Sequence, residues 1–231
     1  MSTSYIIRTC NSDFTSHNGF RWPALGEVVC PDFDAAKECG EGLFGFLNGC
    51  GKGWLAAWSG KPQWLLVAVP SDTIIDLGDK AKFPRGEVIF SSQDRLAVIA
   101  ELEARESLSL NLPVVGAKRI SLKLGAILTT GDYGLTTTGD YGTSKSGYCG
   151  VSFSGDFGTS ISGSLGSSIS GRGGKSVTQN WGKAKAGMNW YLVFESAFAE
   201  VKDPVYSFLV DGKKVKADTF YRCHKGVLTE V

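Results

Sequence analysis

Residues 131–186, broken into eights, read GDYGLTTT, GDYGTSKS, GYCGVSFS, GDFGTSIS, GSLGSSIS, GRGGKSVT and QNWGKAKA. The first position is glycine at 131, 139, 147, 155, 163 and 171 and becomes Gln179 in the last octad; the fourth is glycine every time. The sixth and eighth are always Ser, Thr or Ala, and no insertion breaks the phase. An uninterrupted short period is what stacked units require, because each buries its inner surface only against its neighbours. Two octads make a 16-residue coil, so the stretch predicts a flat β-solenoid. Seven octads give about three and a half coils, roughly 17 Å of stack at the usual strand spacing.

Within each octad the glycines are expected to supply the positive φ of the corner, and the last four residues to run extended. Alternation then puts positions 5 and 7 on one face and 6 and 8 on the other. Position 7 reads Thr137, Lys145, Phe153, Ile161, Ile169, Val177, Lys185, apolar in the middle and polar at both ends. That pattern predicts positions 5 and 7 inside and Ser/Thr ladders outside. Position 3 holds a partial aromatic ladder, with Tyr133, Tyr141, Phe157 and Trp181 as the candidate contacts of a homodimer. A flexible Gly/Ser linker is the competing reading, but a linker needs neither fixed phase nor apolar residues confined to set positions.

Working outward, residues 1–122 read as a small N-terminal α+β domain, 123–187 as the solenoid and 188–231 as a C-terminal β cap. Asp34–Glu38 is expected as a short helix; Trp64–Val69, Thr73–Leu77 and Glu87–Phe90 as strands. Ser92 or Asp94 caps a helix to about Arg105, with Leu96, Ile99, Ala100 and Leu102 on its apolar face. After the repeats, Trp190–Glu195 and Tyr206–Val210 read as strands around an irregular connection. Asp211–Gly212 signals a hairpin, and Thr219–Arg222 pairs with Val227–Val231 across a turn at His224–Gly226.

The chain of 231 residues carries 24 Lys+Arg against 23 Asp+Glu, a balance that disfavours a broad nucleic-acid surface. No run reaches the roughly 18 apolar residues of a membrane span, and Met1–Arg21 shows no secretory core, so a soluble cytoplasmic protein is expected. The six cysteines, at 10, 30, 39, 50, 149 and 223, include no CxxC and read as structural thiols, with no metal site. His17 and His224 lack the context of a nucleophile and base. GKG at 51–53 and GRGGKS at 171–176 miss the spacing of a phosphate loop, and the second is in phase with the octads. No catalytic residue and no cofactor are assigned. Phe44, Phe46 and Asn48 on a glycine loop, with Trp54, Trp58 and Trp64, form the candidate binding groove.

GDFGTSIS (155–162) resembles the octapeptide of bacterial ice-nucleation proteins, a resemblance that implies 16-residue β-solenoid coils with outward Thr-x-Thr rows. The chain also resembles phage and bacterial proteins that join an N-terminal domain, a block of GDYGTATA-like octads and a short C-terminal β segment. That likeness rests on GEGLFGFLNG (40–49), WLLVAVPSDTIIDLGDKAKFPRGEVIF (64–90) with the helix after it, and VDGKKVKADTFYRCHKGVLTEV (210–231). It implies the architecture and a phage or mobile-element setting. The leading expectation is a non-enzymatic protein, its solenoid a spacer or self-association surface and its N-terminal domain engaging a host protein. Two alternatives stand beside it. One is an ADP-ribosyltransferase-like or ligand-binding N-terminal domain, with Glu87 as the first carboxylate to mutate. The other is ice binding by the Ser/Thr ladders.

Overall fold

The computed structural model describes residues 2–196 and 205–231. The chain forms two units, residues 1–115 and 116–231. In the first, β1 (Thr3–Cys10), β2 (Gly26–Val29), β3 (Leu43–Leu47), β4 (Gln63–Pro70), β5 (Ile75–Asp76), β6 (Ala81–Phe83) and β7 (Arg85–Ser92) make one sheet. Its order is β2-β7-β4-β1-β3-β6-β5. Each neighbouring pair is antiparallel. The continuous apolar run of β4 is explained by cover on both faces. Leu65, Val67 and Val69 pack with Ile6, Leu43, Phe83 and Val88 on one side. The helix α1 (Arg95–Arg105) covers the other and buries Val98, Ile99 and Leu102. Asp94 caps α1 by accepting the Leu96 amide at 2.9 Å, as the sequence predicts.

Three local expectations are corrected. Asp34–Glu38 is not a helix. Asp34 Oδ1 instead takes the Ala36 amide, and the fully buried Lys82 ammonium donates to the Ala36 and Glu38 carbonyls, holding them turned away from any helical partner. The strand expected over Thr73–Leu77 shrinks to β5. The central strand β1 and the strand β3, inside the presumed glycine loop, were not anticipated. Gly45 in β3 is required there: a Cβ would stand 2.4 Å from Ile6 Cγ2.

The second unit is the solenoid and its cap. Its strands are β8 (Lys118–Ser121), β9 (Ile127–Thr129), β10 (Leu135–Thr138), β11 (Thr143–Ser146), β12 (Val151–Ser154), β13 (Thr159–Ser164), β14 (Ser167–Ser170), β15 (Lys175–Gln179), β16 (Lys183–Lys185) and β17 (Tyr191–Glu195). Even-numbered strands stack in parallel as one sheet and odd-numbered ones as the other. Paired residues are mostly 16 apart, as in Leu135 with Val151 and Thr143 with Thr159, and 17 apart between β8 and β10, as in Lys118 with Leu135. The stack therefore has five coils, more than the seven octads alone supply. The extra strands β8, β9 and β17 come from sequence that has lost the fourth-position glycine; Ala117, Ala126 and Trp190 stand in its place.

At the far end the strands that follow the repeats add antiparallel to the last coil. β18 (Val205–Leu209) pairs antiparallel with β17, and β19 (Tyr221–His224) with β16 and with β20 (Val227–Glu230). Beneath them Ala184, Ala186, Leu192, Phe194, Val210, Val215 and Tyr221 form an apolar plug. Asp211–Gly212 does not make a hairpin. Asp211 Oδ1 accepts the amides of Lys213, Lys214 and Val215 and winds a loop that carries the chain from one sheet to the other. The irregular connection expected before β18 falls on residues 197–204, outside the described residues.

Candidate functional site

The inside of the coil stack reverses the sequence expectation. Positions 6 and 8 are buried: Thr136, Ser144, Ser152, Ser160, Ser168, Ser176 and Thr178 are at 0 % exposure. Positions 5 and 7 point outward. The reason is the width of the interior. The Ser144 hydroxyl donates to Thr136 Oγ1 at 2.6 Å, the Ser160 hydroxyl to Ser154 Oγ at 2.9 Å, and Ser170 and Ser176 share a bond of 2.9 Å. Each of these spans from one sheet to the other, so a single hydroxyl pair bridges the gap. Ser152 also donates to the Ile161 carbonyl at 2.6 Å, and Ser176 to the Lys185 carbonyl at 2.6 Å. Buried hydroxyls so paired carry no desolvation penalty, whereas Phe153 or Ile161 would not fit.

The corners are also built differently from the expectation. The left-handed residue is position 3, not a glycine of positions 1 or 4: Tyr133, Tyr141, Cys149, Phe157, Leu165 and Trp181 have φ from 51 to 60°. The repeat glycines serve close approach instead. A Cβ on Gly142 would lie 2.5 Å from Thr138 Cβ, and one on Gly155 would lie 2.3 Å from Asp140 Oδ1. The repeat aspartates clamp consecutive coils. Asp132, Asp140 and Asp156 each accept, through Oδ1, the backbone amide 16 residues ahead, at 2.9, 2.8 and 2.8 Å.

This geometry splits the expected aromatic ladder between two edges. Tyr141 and Phe157 stack on one edge with centroids 5.2 Å apart and planes 16° apart. Tyr133 and Trp181 lie on the opposite edge and do not touch each other. Tyr133 packs edge-on against Tyr148 at 5.8 Å, and Trp181 stacks on His224 at 5.0 Å. The outward rows of the even-numbered sheet run Lys118, Leu135, Val151, Ser167, Lys183 and Ile120, Thr137, Phe153, Ile169, Lys185. Those of the odd-numbered sheet run Ile127, Thr143, Thr159, Lys175 and Thr129, Lys145, Ile161, Val177. Neither face is a continuous threonine array.

The aromatic set of the N-terminal unit divides as well. Phe46 and Trp64 are buried at 4 % and 3 % exposure, and Trp58 packs edge-on against Trp64 at 5.3 Å. The Lys80 ammonium sits 4.5 Å over the Phe44 ring, and the Lys52 ammonium 4.7 Å over the exposed Trp54. Asn48 takes a left-handed φ of 50° at the end of β3. Glu87 is exposed on β7 directly opposite Glu27. GRGGKS at 171–176 forms a corner and the start of β15. His17 is exposed, while His224 ends β19. Among the described residues no three His, Cys, Asp or Glu side chains converge. No described helix is long and apolar enough to cross a membrane.

Compared with known proteins, the chain is similar to an ice nucleation protein of Pseudomonas syringae, 28% identical over 109 residues, 46% of this chain and 9% of that protein. A second, from Pseudomonas fluorescens, is 33% identical over 86 residues, 36% of this chain and 7% of that protein. The ice nucleation protein InaU of Pantoea ananas is 31% identical over 86 residues, 36% of this chain and 8% of that protein. The chain thus spans less than a tenth of the length of these curated relatives. No protein-family model and no solved structure matches it.

Proposed function

We propose that this chain is a non-enzymatic binding protein whose coil stack associates with a second copy along the Tyr141–Phe157 edge. The observation that carries the reading is that pair: two stacked rings, 60% and 55% exposed, held on a rigid corner. Interior hydroxyls and aspartate clamps supply the fold, so the rings are not needed to hold it together. Two such edges meeting would bury the exposed parts of four rings, about 350–600 Å² in total, roughly a quarter to a third of a standard interface. The dimer is accordingly weak. The same reading places the protein in the cytoplasm of a bacterial host and gives the N-terminal unit a host protein as partner. Its support is the likeness of residues 40–49 and 64–90 to phage and bacterial proteins.

Analytical ultracentrifugation at high protein concentration tests the edge. Tyr141→Ala with Phe157→Ala reduces association, while Tyr133→Ala with Trp181→Ala, on the other edge, leaves it. The opposite ordering moves the interface, and an unchanged monomer at all concentrations sinks the reading.

The names of the relatives favour a second reading, in which a face orders water as a nucleus for ice. Thr143 and Thr159 stand side by side on the odd-numbered face. The rows are interrupted by Lys145, Lys175 and Ile161, which weighs against it. Freezing of dispersed droplets decides: a raised freezing temperature lost in Thr143→Lys replaces the first reading, and no shift discards the second.

A further inference from the structure

We propose that Arg8 and the cleft beside it form a binding site for a small molecule bearing a carboxylate or phosphate group. Arg8 lies on the central strand β1, and alternation puts its side chain on the same face as Ile6 and Cys10, both in the apolar core. A guanidinium is therefore directed toward apolar surroundings. Its Nε is buried and has no hydrogen-bond partner, and no ion pair to Arg8 is formed among the described residues. The contact it does have is the Trp22 ring, 5.6 Å from the guanidinium carbon.

No surrounding carboxylate is ion-paired with Arg8 among the described residues. The Cys10 thiol is pushed up to about 11 by burial, so it is neutral at physiological pH. The Asp13 carboxylate is engaged by the Thr15 hydroxyl at 2.6 Å and the Thr15 amide at 3.0 Å. Burial disfavours the charge on Arg8 itself. Arginine nevertheless stays protonated in proteins, so the cation persists without an anion.

Arg8 opens onto a cleft of about 390 Å³ that is also lined by Cys10, Asn11, Thr15, Ser16 and His17. The polar lining suits the remaining oxygens of an anion, and the planar fork of the guanidinium matches a carboxylate or phosphate edge. Residues 55–57 also line this open cleft, where the Ala57 amide donates to Thr9 Oγ1 at 2.9 Å. This site is separate from the aromatic groove expected over Phe44–Trp64 and uses none of its six residues.

Thermal melts followed by tryptophan fluorescence test the site, with sodium phosphate or sodium acetate titrated against sodium chloride at matched ionic strength. A ligand that binds only the folded state raises the midpoint. The wild type is expected to show a saturable rise with phosphate or acetate beyond chloride. The effective anion tells a phosphate-bearing from a carboxylate-bearing ligand. Arg8→Met is expected to lose the response and to melt no lower than wild type in chloride, because it removes an uncompensated cation. No rise with either anion, or an unchanged response in Arg8→Met, overturns the proposal. Should Arg8→Met fail to fold, the Arg8 Nε–H NMR resonance of the wild type decides: a saturable shift supports the site and a static resonance overturns it.

Discussion

Ser152 and Phe153 are neighbours on β12 that the two orientations of the repeat treat in opposite ways. Ser152 is fully buried; its hydroxyl donates to the Ile161 carbonyl at 2.6 Å and lies 2.9 Å from Ser146 Oγ. Leucine at 152 would forfeit these bonds, at about 1–3 kcal/mol for the buried partners left behind. It would also force a branched side chain into a gap bridged by one hydroxyl pair, adding about 1–3 kcal/mol of overpacking. Ser152→Leu is therefore expected to cost about 2–6 kcal/mol, a large share of the roughly 5–15 kcal/mol that holds an ordinary domain folded. Phe153 points outward and is half-buried among its face neighbours. Phe153→Ser loses part of one side chain's burial, about 1–1.5 kcal/mol. Chemical denaturation followed by far-UV circular dichroism measures both. If Phe153→Ser proves the more damaging of the two, the hydroxyl-filled interior is wrong and the apolar rows belong inside.

Three further outcomes follow from the same structure. Gly142→Ala, whose new methyl would sit 2.5 Å from Thr138 Cβ, is expected to destabilise the stack by about 2 kcal/mol or more in the same denaturation assay. The Asp211 carboxyl is held below the usual carboxylate range by the Val215 amide first, then those of Lys213 and Lys214. A depressed folded-state value gives stability that is present above the unfolded value, about 3.9, and is lost as pH falls through the folded one. The urea midpoint should accordingly drop on acidification below about pH 4, and Asp211→Ala should flatten that dependence. Finally, the buried Cys10 thiol, pushed up to about 11, should resist iodoacetamide at pH 8 while the exposed Cys39 is alkylated, as read by peptide mass spectrometry.

Much of this architecture is legible in the amino-acid sequence because its repeat is phased by glycine. A Cβ at those positions would strike either the coil below or the end of the preceding octad, so they mark every corner even though position 3 carries the left-handed turn. Hydropathy points to the wrong inward face, because the buried positions are the hydroxyl-bearing ones. In so thin a stack the better guide is uniformity of size: positions 6 and 8 never exceed threonine, whereas positions 5 and 7 range from Ser167 to Phe153. The first coil and the β17 half of the last are not legible as coils because they lack the fourth-position glycine and fill their interiors with larger groups. Arg119 in the first donates inward to the Thr129 carbonyl, and Leu192 and Phe194 in the last join the plug. In the N-terminal unit, α1 was readable from its cap and its apolar face. β3 was hidden by Gly45, which breaks the run of a strand precisely where Ile6 needs the room. The solitary arginine of β1 carries no pattern at all; only the surroundings of its side chain single it out.

The two-octad clamp has a bearing on how such a chain can change length. Each repeat aspartate reaches the amide 16 residues ahead, and successive octads alternate between the two sheets. Gaining or losing a pair of octads leaves every later strand on its own sheet, with Tyr221 still beside the last even-numbered strand. Gaining or losing a single octad transposes everything downstream: the plug residues turn to the wrong wall, the cap meets the wrong edge, and Tyr141 and Phe157 part to opposite margins if the change falls between them. Growth of the stack thus obeys a parity rule, and natural length variants should differ by whole coils.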